Sequence, residues 1–233
     1  MVRIRLAGET DAEALAAIYA PFVEQTAISF ETVPPGREEM RRRIVETTAV
    51  YPWLVCELEG TVVGYAYATQ HRVRAAYRWS VDTSAYIQAA HHRRGIGRAL
   101  YASLFEVLRG QGFFNAYAGI TLPNAASVGL HEAVGFTHLG VYEQVGYKFG
   151  TWHDVGWWQL ALQAHAANPD EPRALSTVMA GPDLAIQQCR IHNAQFTKGS
   201  RQFPGIQIRE GPSPASVSIS SLSRLTKLAG SSS

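Results

Sequence analysis

The stretch of this 233-residue chain that most clearly suggests chemistry is a basic turn, residues 91–98, with the sequence His-His-Arg-Arg-Gly-Ile-Gly-Arg. A predicted strand, 84–87, precedes the turn, and an apolar stripe at helical spacing follows it, formed by Ile96, Leu100, Leu104, Val107 and Leu108. The first N–H groups of a helix lack intrahelical acceptors and lie at the positive end of its dipole. Glycine lets a ligand approach the backbone closely, and arginine adds full charges. The turn therefore predicts a phosphate-binding site.

The residues after this turn exclude two common nucleotide-binding loops. A Gly-x-Gly-x-x-Gly dinucleotide motif would need glycine where the chain has Leu100. A Walker A loop would need lysine and a hydroxyl residue where the chain has Arg98 and Ala99. Taken alone, the turn could equally be a helix start with a basic exposed face.

Two titratable side chains could exchange protons near this turn. Asp82 lies on the predicted strand that leads into the turn, and His131 lies on the second helix after it. Asn124, Ser127 and His131 are spaced i, i+3 and i+7, so they share one helix face. Carboxylates and imidazoles can both act as general acids or bases. The alternatives are a solvated carboxylate at a strand end and a structural histidine.

A basic, aromatic loop, 70–77, could bind an anionic substrate. It carries Arg72 and Arg74, whose guanidinium groups suit carboxylates and tetrahedral oxyanions. The alternative is an ordinary basic surface loop.

Composition limits the class of protein. The chain is 46% hydrophobic and 17% charged, which is typical of a globular domain. The net charge of +2 is too near neutral to indicate a nucleic-acid partner. The two cysteines show no disulfide or metal-site spacing, and we expect Cys56 to be a core residue. No apolar run resembles a signal peptide or is long enough to span a membrane, so we expect a cytoplasmic protein without a metal.

The elements that must position these residues alternate between strands and helices. The order β-α-α-β-β-β-α-β-α-β-β predicts a mixed α/β sheet over residues 1–162. Predicted strands include 81–87, 113–120, 137–142 and 152–162. From residue 163 to 233, prolines, glycines and serines accumulate without sustained periodicity, which indicates a disordered low-complexity tail or a read-through extension.

The turn resembles the pyrophosphate loop of GCN5-related N-acetyltransferases, Gln/Arg-x-x-Gly-x-Gly/Ala, with His92 in place of the first residue. Residues 1–162 resemble the phosphinothricin N-acetyltransferase branch of that family. The segments that carry this resemblance are Tyr51–Val55, Leu122–Val128, Leu130–Phe136 and Gly146–Gln159.

The resemblance implies a twisted mixed sheet whose two central strands splay apart, with acetyl-CoA as the cosubstrate in the gap. It implies that the residues matched to the cofactor are Ala85, Tyr86, Ile87, Arg93, Arg94, Gly95, Ile96, Gly97, Arg98, Asn124 and Ser127. A homodimer is implied in the same way. Neither a metal nor a membrane is implied.

The resemblance also assigns the catalytic and acceptor sites. Asp82 matches a glutamate proposed as general base, so its shorter side chain would need a bridging water. His131 matches a residue that serves as a second acid or base. The acceptor residues would be Phe30, Arg72, Arg74 and Tyr77, which suit phosphinothricin, methionine sulfoximine or methionine sulfone. Transfer would be direct, without an acyl-enzyme. The alternatives left open are another acceptor amine and a CoA-binding protein without catalysis.

Overall fold

The structure of the protein is a computed structural model, which describes residues 2–180. Its strands are β1 (Val2–Leu6), β2 (Trp53–Leu58), β3 (Thr61–Gln70), β4 (Ser80–Ile87), β5 (Asn115–Leu122), β6 (Thr137–Lys148) and β7 (Thr151–Ala161). Its α-helices are α1 (Ala12–Gln25), α2 (Arg37–Thr48), α3 (Ile96–Gln111), α4 (Ala125–Ala133) and α5 (Leu175–Met179). Up to β7, this order is the predicted one.

The strands form one seven-stranded sheet in the order β1-β2-β3-β4-β5-β7-β6. Every neighbouring pair in the described sheet is antiparallel except β4 and β5, which are parallel. The parallel pair arises because α3 is the crossover between these two strands. The predicted mixed α/β sheet flanked by helices is therefore confirmed.

The sheet splays apart at its centre. Strands β4 and β5 pair only through Ser80 with Asn115, Val81 with Ala116 and Asp82 with Tyr117. On its other side β4 stays paired with β3 as far as Ile87. The edge of β4 from Thr83 to Ile87 therefore has no strand beside it, which confirms the expected gap.

Each face of the sheet has its own apolar core. Helix α3 covers one face with Leu100, Leu104 and Leu108, while α1 and α2 cover the other with Leu15 and Ile44. Successive strand side chains point to opposite faces. Val81 belongs to the α3 core and Tyr86 packs with the core of α1 and α2. Odd-numbered residues of β4 therefore face α3, and Asp82, Ser84 and Tyr86 face α1 and α2.

The hairpin of β6 and β7 is longer than the sequence pattern predicts. Strand β6 continues to Lys148, whereas the pattern predicts an end at residue 142. A register shift lies between Tyr142 and Gly146, and Gln144 there has a φ of 48°. The irregular pairing interrupts the alternation of apolar and polar residues, so the sequence pattern stops before the strand does.

Ordered packing also continues past the predicted domain boundary at residue 162. Leu175 and Val178 of α5 are buried against Val107 of α3. The Gln111 carbonyl accepts from the Arg173 backbone N–H at 2.7 Å. The rest of the predicted tail, 181–233, lies outside the described residues. None of the helices in residues 2–180 combines the length and apolar composition needed to cross a membrane.

Candidate active site

The basic turn forms the start of α3. Gly95 is the N-cap residue and has a φ of 77°, a left-handed conformation that favours glycine. Arg93 also has a positive φ, 58°. Because the helix begins at Ile96, the N–H groups of its first turn have no intrahelical acceptors. Arg93 and Arg94 are exposed beside them, so the turn can hold a phosphate.

Three side chains of the turn have local structural contacts. The His92 ring Nε2 lies 2.9 Å from the Ile87 carbonyl and ties the turn to the end of β4. An Arg98 guanidinium nitrogen donates to the Ala133 carbonyl at 3.3 Å, so Arg98 points toward α4. A Cβ on Gly97 would lie 2.8 Å from Cδ2 of Leu130. Gly97 therefore also allows α3 and α4 to pack closely.

The open edge of β4 lies between this turn and the splay point. Ala85, Tyr86 and Ile87 pair with β3 on one side, and their other side faces the gap. In an antiparallel strand, alternate residues direct their N–H and C=O groups away from the partner strand. These outward groups can pair with the amides of an extended ligand.

Helix α4 presents the predicted polar face. The Asn124 Oδ1 accepts from the Ser127 backbone N–H at 3.1 Å, which makes Asn124 the N-cap. Within residues 2–180, its side-chain nitrogen has no hydrogen-bond acceptor. His131 lies one turn beyond Ser127 and is buried, with 5% of its surface exposed.

The His131 ring is held in one neutral form. Nδ1 lies 2.8 Å from the Ser127 carbonyl, which can only accept, so Nδ1 carries the hydrogen. Nε2 then accepts from the Tyr101 hydroxyl at 2.7 Å. Burial lowers the pKa of His131. Tyr101, which the sequence analysis did not identify, is thus a proton-carrying partner of His131.

Asp82 lies at the splay point and has an unpredicted partner. Its Oδ1 is 2.6 Å from Nδ1 of His71, which follows β3. The His71 ring stacks on Tyr117 with centroids 4.2 Å apart. Burial raises the pKa of Asp82, and the hydrogen bond from His71 opposes that rise. The carboxylate and imidazole therefore form a dyad at the last paired position of β4 and β5.

The predicted acceptor residues lie around this dyad. The Arg72 guanidinium lies over the Trp157 ring, 5.7 Å from its centroid. The Tyr77 ring is 5.9 Å from the His71 ring. Arg74, at the start of the same short turn, is exposed. Arg72 and Tyr77 thus lie beside Asp82, with Arg74 exposed in the same loop.

Phe30 makes a tight contact with the hairpin of β6 and β7. A Cβ on Gly146 would lie only 2.1 Å from Cε2 of Phe30, so the ring rests directly on this glycine. The Lys148 ammonium donates to the Ser29 carbonyl at 2.7 Å and to the Val23 carbonyl at 2.6 Å. Lys148 therefore fixes the segment that carries Phe30.

The structure brings Asp82 and Arg72 together on one face of the sheet but places His131 behind the other. Tyr101, the partner of His131, packs in the α3 core, on the side that Thr83 faces. The sequence analysis did not identify His71 as a site residue. The only signal for His71 was a histidine in a basic loop, and nothing in the sequence linked it to Asp82.

Comparison with known proteins identifies the family. The Acetyltransferase (GNAT) domain profile matches residues 4–157. A phosphinothricin N-acetyltransferase from Streptomyces viridochromogenes is 42% identical over 177 residues, 76% of this chain and 94% of that protein. An L-methionine sulfoximine/L-methionine sulfone acetyltransferase from Salmonella typhimurium is 38% identical over 169 residues, 72% of this chain and 98% of that protein.

A solved structure agrees with these relatives. It is a phosphinothricin acetyltransferase from Sinorhizobium meliloti in complex with acetyl-CoA, with a TM-score of 0.70 and 34% sequence identity. The match covers 73% of this chain and 94% of that one. The predicted fold, the predicted N-acetyltransferase class and the resemblance to the phosphinothricin branch are thereby confirmed. The chain belongs to the GNAT acetyltransferase family.

Proposed function

We propose that the protein transfers the acetyl group of acetyl-CoA to the amino group of phosphinothricin, methionine sulfoximine, methionine sulfone or a similar small amino acid. The observation that carries this proposal is the arrangement along β4. The proton-accepting dyad lies where the sheet splays, and the phosphate-binding turn lies at the far end of the open edge. Five residues of strand, about 16 Å at ~3.3 Å per residue, separate Asp82 from Ile87.

The residues present fit acetyl-CoA, which would supply an activated acetyl thioester. Arg93, Arg94, Gly95 and the N–H groups of Ile96, Gly97 and Arg98 would hold its pyrophosphate. The open edge formed by Ala85, Tyr86 and Ile87 would pair with its pantetheine amides, and Asn124 and Ser127 would contact the same arm.

The acceptor must lose a proton before it can attack, because it arrives as an ammonium ion. Asp82 is proposed to serve this step at the splay point. His131 is proposed as the second acid or base, and its proton would move through the Tyr101 hydroxyl that contacts Nε2. Direct transfer requires no nucleophilic residue, and Cys56 is buried in the core.

Two cationic side chains support a small acidic acceptor. Arg72 and Arg74 would bind its carboxylate and its second oxygen-bearing head, and Tyr77 and Phe30 would form the walls. The named activities of the relatives point to the same substrate class. A purely basic amine such as spermidine would be repelled by these two arginines.

A homodimer is the proposed assembly. The hairpin of β6 and β7 exposes a series of large apolar side chains: Leu139, Val141, Tyr142, Val145, Tyr147, Phe149 and Trp152. Patches of this kind commonly mark protein interfaces. Sedimentation analysis of the full chain, beside a Val141→Glu variant, tests this assembly. A cytoplasmic location without a nucleic-acid or membrane partner completes the proposal.

The deciding experiment is thiol release from acetyl-CoA with a panel of acceptors. The panel contains phosphinothricin, methionine sulfoximine and methionine sulfone, with N-acetylphosphinothricin as a control that lacks a free amine. Spermidine and a peptide amine complete it. Turnover confined to the three amino acids supports the proposal. Turnover only on spermidine or the peptide overturns the substrate, and acetyl-CoA binding without any turnover overturns the enzymatic function.

A further inference from the structure

A dyad of His71 and Asp82 occupies the point at which the central strands separate. Asp82 pairs with Tyr117 at the last rung of β4 and β5, and His71 contacts both. It bonds the carboxylate at 2.6 Å and stacks on the Tyr117 ring with an interplanar angle of 17°. A hydrogen bond and a stacked ring together fix both the position and the rotation of the imidazole.

The hydrogen bond also determines which ring nitrogen can act. A carboxylate can only accept, so Nδ1 of His71 carries the hydrogen that Asp82 receives. In the neutral ring, Nε2 then has a free lone pair. None of the described residues forms a hydrogen bond with Nε2, and the side chain keeps 11% exposure. This is the arrangement of an oriented general base.

The groups around the imidazole come from five parts of the fold. Asp82 faces it from β4, Tyr117 from β5, Arg72 from its own loop and Tyr77 from the following turn. Trp157 faces it from β7, with the two ring centroids 6.5 Å apart and the rings nearly perpendicular. The carboxylate favours a protonated imidazole, while Arg72 opposes it.

We propose that His71 is the base that removes the proton from the acceptor ammonium, and that Asp82 positions His71 and stabilises its protonated form. This inference rests on the proposed function. In this inference the imidazole bridges Asp82 and the acceptor, a role that the sequence analysis assigned to a water molecule. The imidazole thereby compensates for the aspartate being shorter than the glutamate of the family. Asp82 is then a positioning residue.

The step balances as follows. An ammonium N–H bond breaks and its proton forms a bond with Nε2 of His71. The free amine forms a bond with the acetyl carbon, and the C–S bond breaks to release the thiolate. The new amide loses its second proton and the thiolate gains one, so CoA leaves as the thiol. His71 returns its proton to solvent.

The test compares two variants of His71 with a matched control. In His71→Asn the amide N–H can still reach Asp82, and in His71→Phe the ring can still stack on Tyr117, but neither has a basic nitrogen. His165→Asn is the control because that exposed ring bonds Asn115 at 2.9 Å and stacks on Phe114, and it is not paired with Asp82 or Tyr117. Acetyl-CoA affinity and melting temperature show that each variant is folded.

We expect kcat with phosphinothricin to fall about 10²- to 10⁴-fold in both variants. The acceptor KM and the acetyl-CoA affinity of both variants should change less than threefold. The kcat of the His165→Asn control should also change less than threefold. The acid limb of kcat/KM should disappear, and added imidazole should restore part of the rate of a His71→Gly variant. In Asp82→Asn the acid limb should move to lower pH, because the protonated ring loses its counter-charge.

A His71→Asn enzyme with near wild-type kcat and an unchanged acid limb would overturn the inference and leave Asp82 as the base. Loss of the acid limb in Asp82→Asn, with the limb retained in His71→Asn, would also overturn the inference and identify Asp82 as the base. Absence of turnover by the unmodified protein on the whole panel would instead overturn the proposed function, and this inference with it.

Discussion

The Tyr101 hydroxyl donates to Nε2 of His131 at 2.7 Å inside the core between α3 and α4. Both ring nitrogens of His131 are therefore occupied, and burial lowers its pKa. A histidine whose pKa is lower in the folded state than in the unfolded state binds a proton more readily on unfolding. The folded state therefore loses stability as the pH falls below about 6.5, the ordinary histidine value.

We predict that the difference in unfolding free energy between the wild type and His131→Gln is larger at pH 7.5 than at pH 5. Urea unfolding at a series of pH values measures it. His138→Gln, at an exposed position, is the control and should leave the pH dependence unchanged. A constant difference across this range would show that His131 is not held neutral.

Gly146→Ala should disturb the acceptor site without affecting cosubstrate binding. The new methyl group would lie 2.1 Å from the Phe30 ring, which must move aside. We expect a higher acceptor KM, unchanged acetyl-CoA affinity and a loss of at most about 1–3 kcal/mol in unfolding free energy. Gly140→Ala in the same strand is the matched control, because nothing lies within 4 Å of its Cβ position. Equal KM values in the two variants would contradict a substrate wall at Phe30.

Arg72→Gln and Arg74→Gln should each weaken acceptor binding. A charge-assisted hydrogen bond is worth ~1.5–3 kcal/mol, so we expect KM to rise about 10- to 100-fold for each change. The value of kcat at saturating acceptor should change little. Steady-state kinetics measure both, with Arg42→Gln on the exposed side of α2 as the control. If KM stays constant, the acceptor carboxylate lies elsewhere.

Gly95→Ala should reduce acetyl-CoA affinity. An alanine at a φ of 77° costs about 1–2 kcal/mol, and relief of that strain would distort the phosphate-binding turn. Calorimetric titration should show about a tenfold weaker dissociation constant. Gly60→Ala introduces the same kind of strain at a φ of 85° in the hairpin of β2 and β3, far along the chain from the turn. It should lower stability alone, and equal losses of affinity in both variants would argue against a specific role for Gly95.

Truncation after residue 162 should destabilise the domain relative to truncation after residue 180. The shorter chain lacks Leu175 and Val178, which cover Val107. We expect a loss of about 2–4 kcal/mol in unfolding free energy from the exposed apolar surface. Chemical denaturation of the two truncated chains beside the full chain measures it. Equal stability of both would restore residue 162 as the end of the folded unit.

Local sequence signals predicted most of the fold. Apolar periodicity gave the order of the elements up to β7, and the shared face of Asn124, Ser127 and His131 lies on α4 as their spacing indicated. The predicted boundaries of elements were wrong where tertiary contacts determine them. Helix α5 is only five residues long and is held by α3, so it has no periodicity to detect.

The candidate site was predictable where family motifs are contiguous. The turn at 92–97 and the loop with Arg72 and Arg74 are examples. The dyad of His71 and Asp82 joins residues 11 positions apart through the pairing of β3 with β4. That register places His71 just past Gln70, the partner of Val81. The contact between His71 and Asp82 is visible only in the folded sheet, because neither the residue types nor their spacing in the sequence indicates it.

The splay divides the sheet into two half-sheets, β1–β4 and β5–β7, whose strands meet through three residue pairs. This short junction is the narrowest part of the hydrogen-bonded sheet. A cosubstrate that pairs with the open edge of β4 would lie in the gap like an added strand. It would increase the number of contacts between the two half-sheets. Binding of the cosubstrate would then also stiffen the sheet. The molecule that donates the acetyl group would thus stabilise the two half-sheets that bind it.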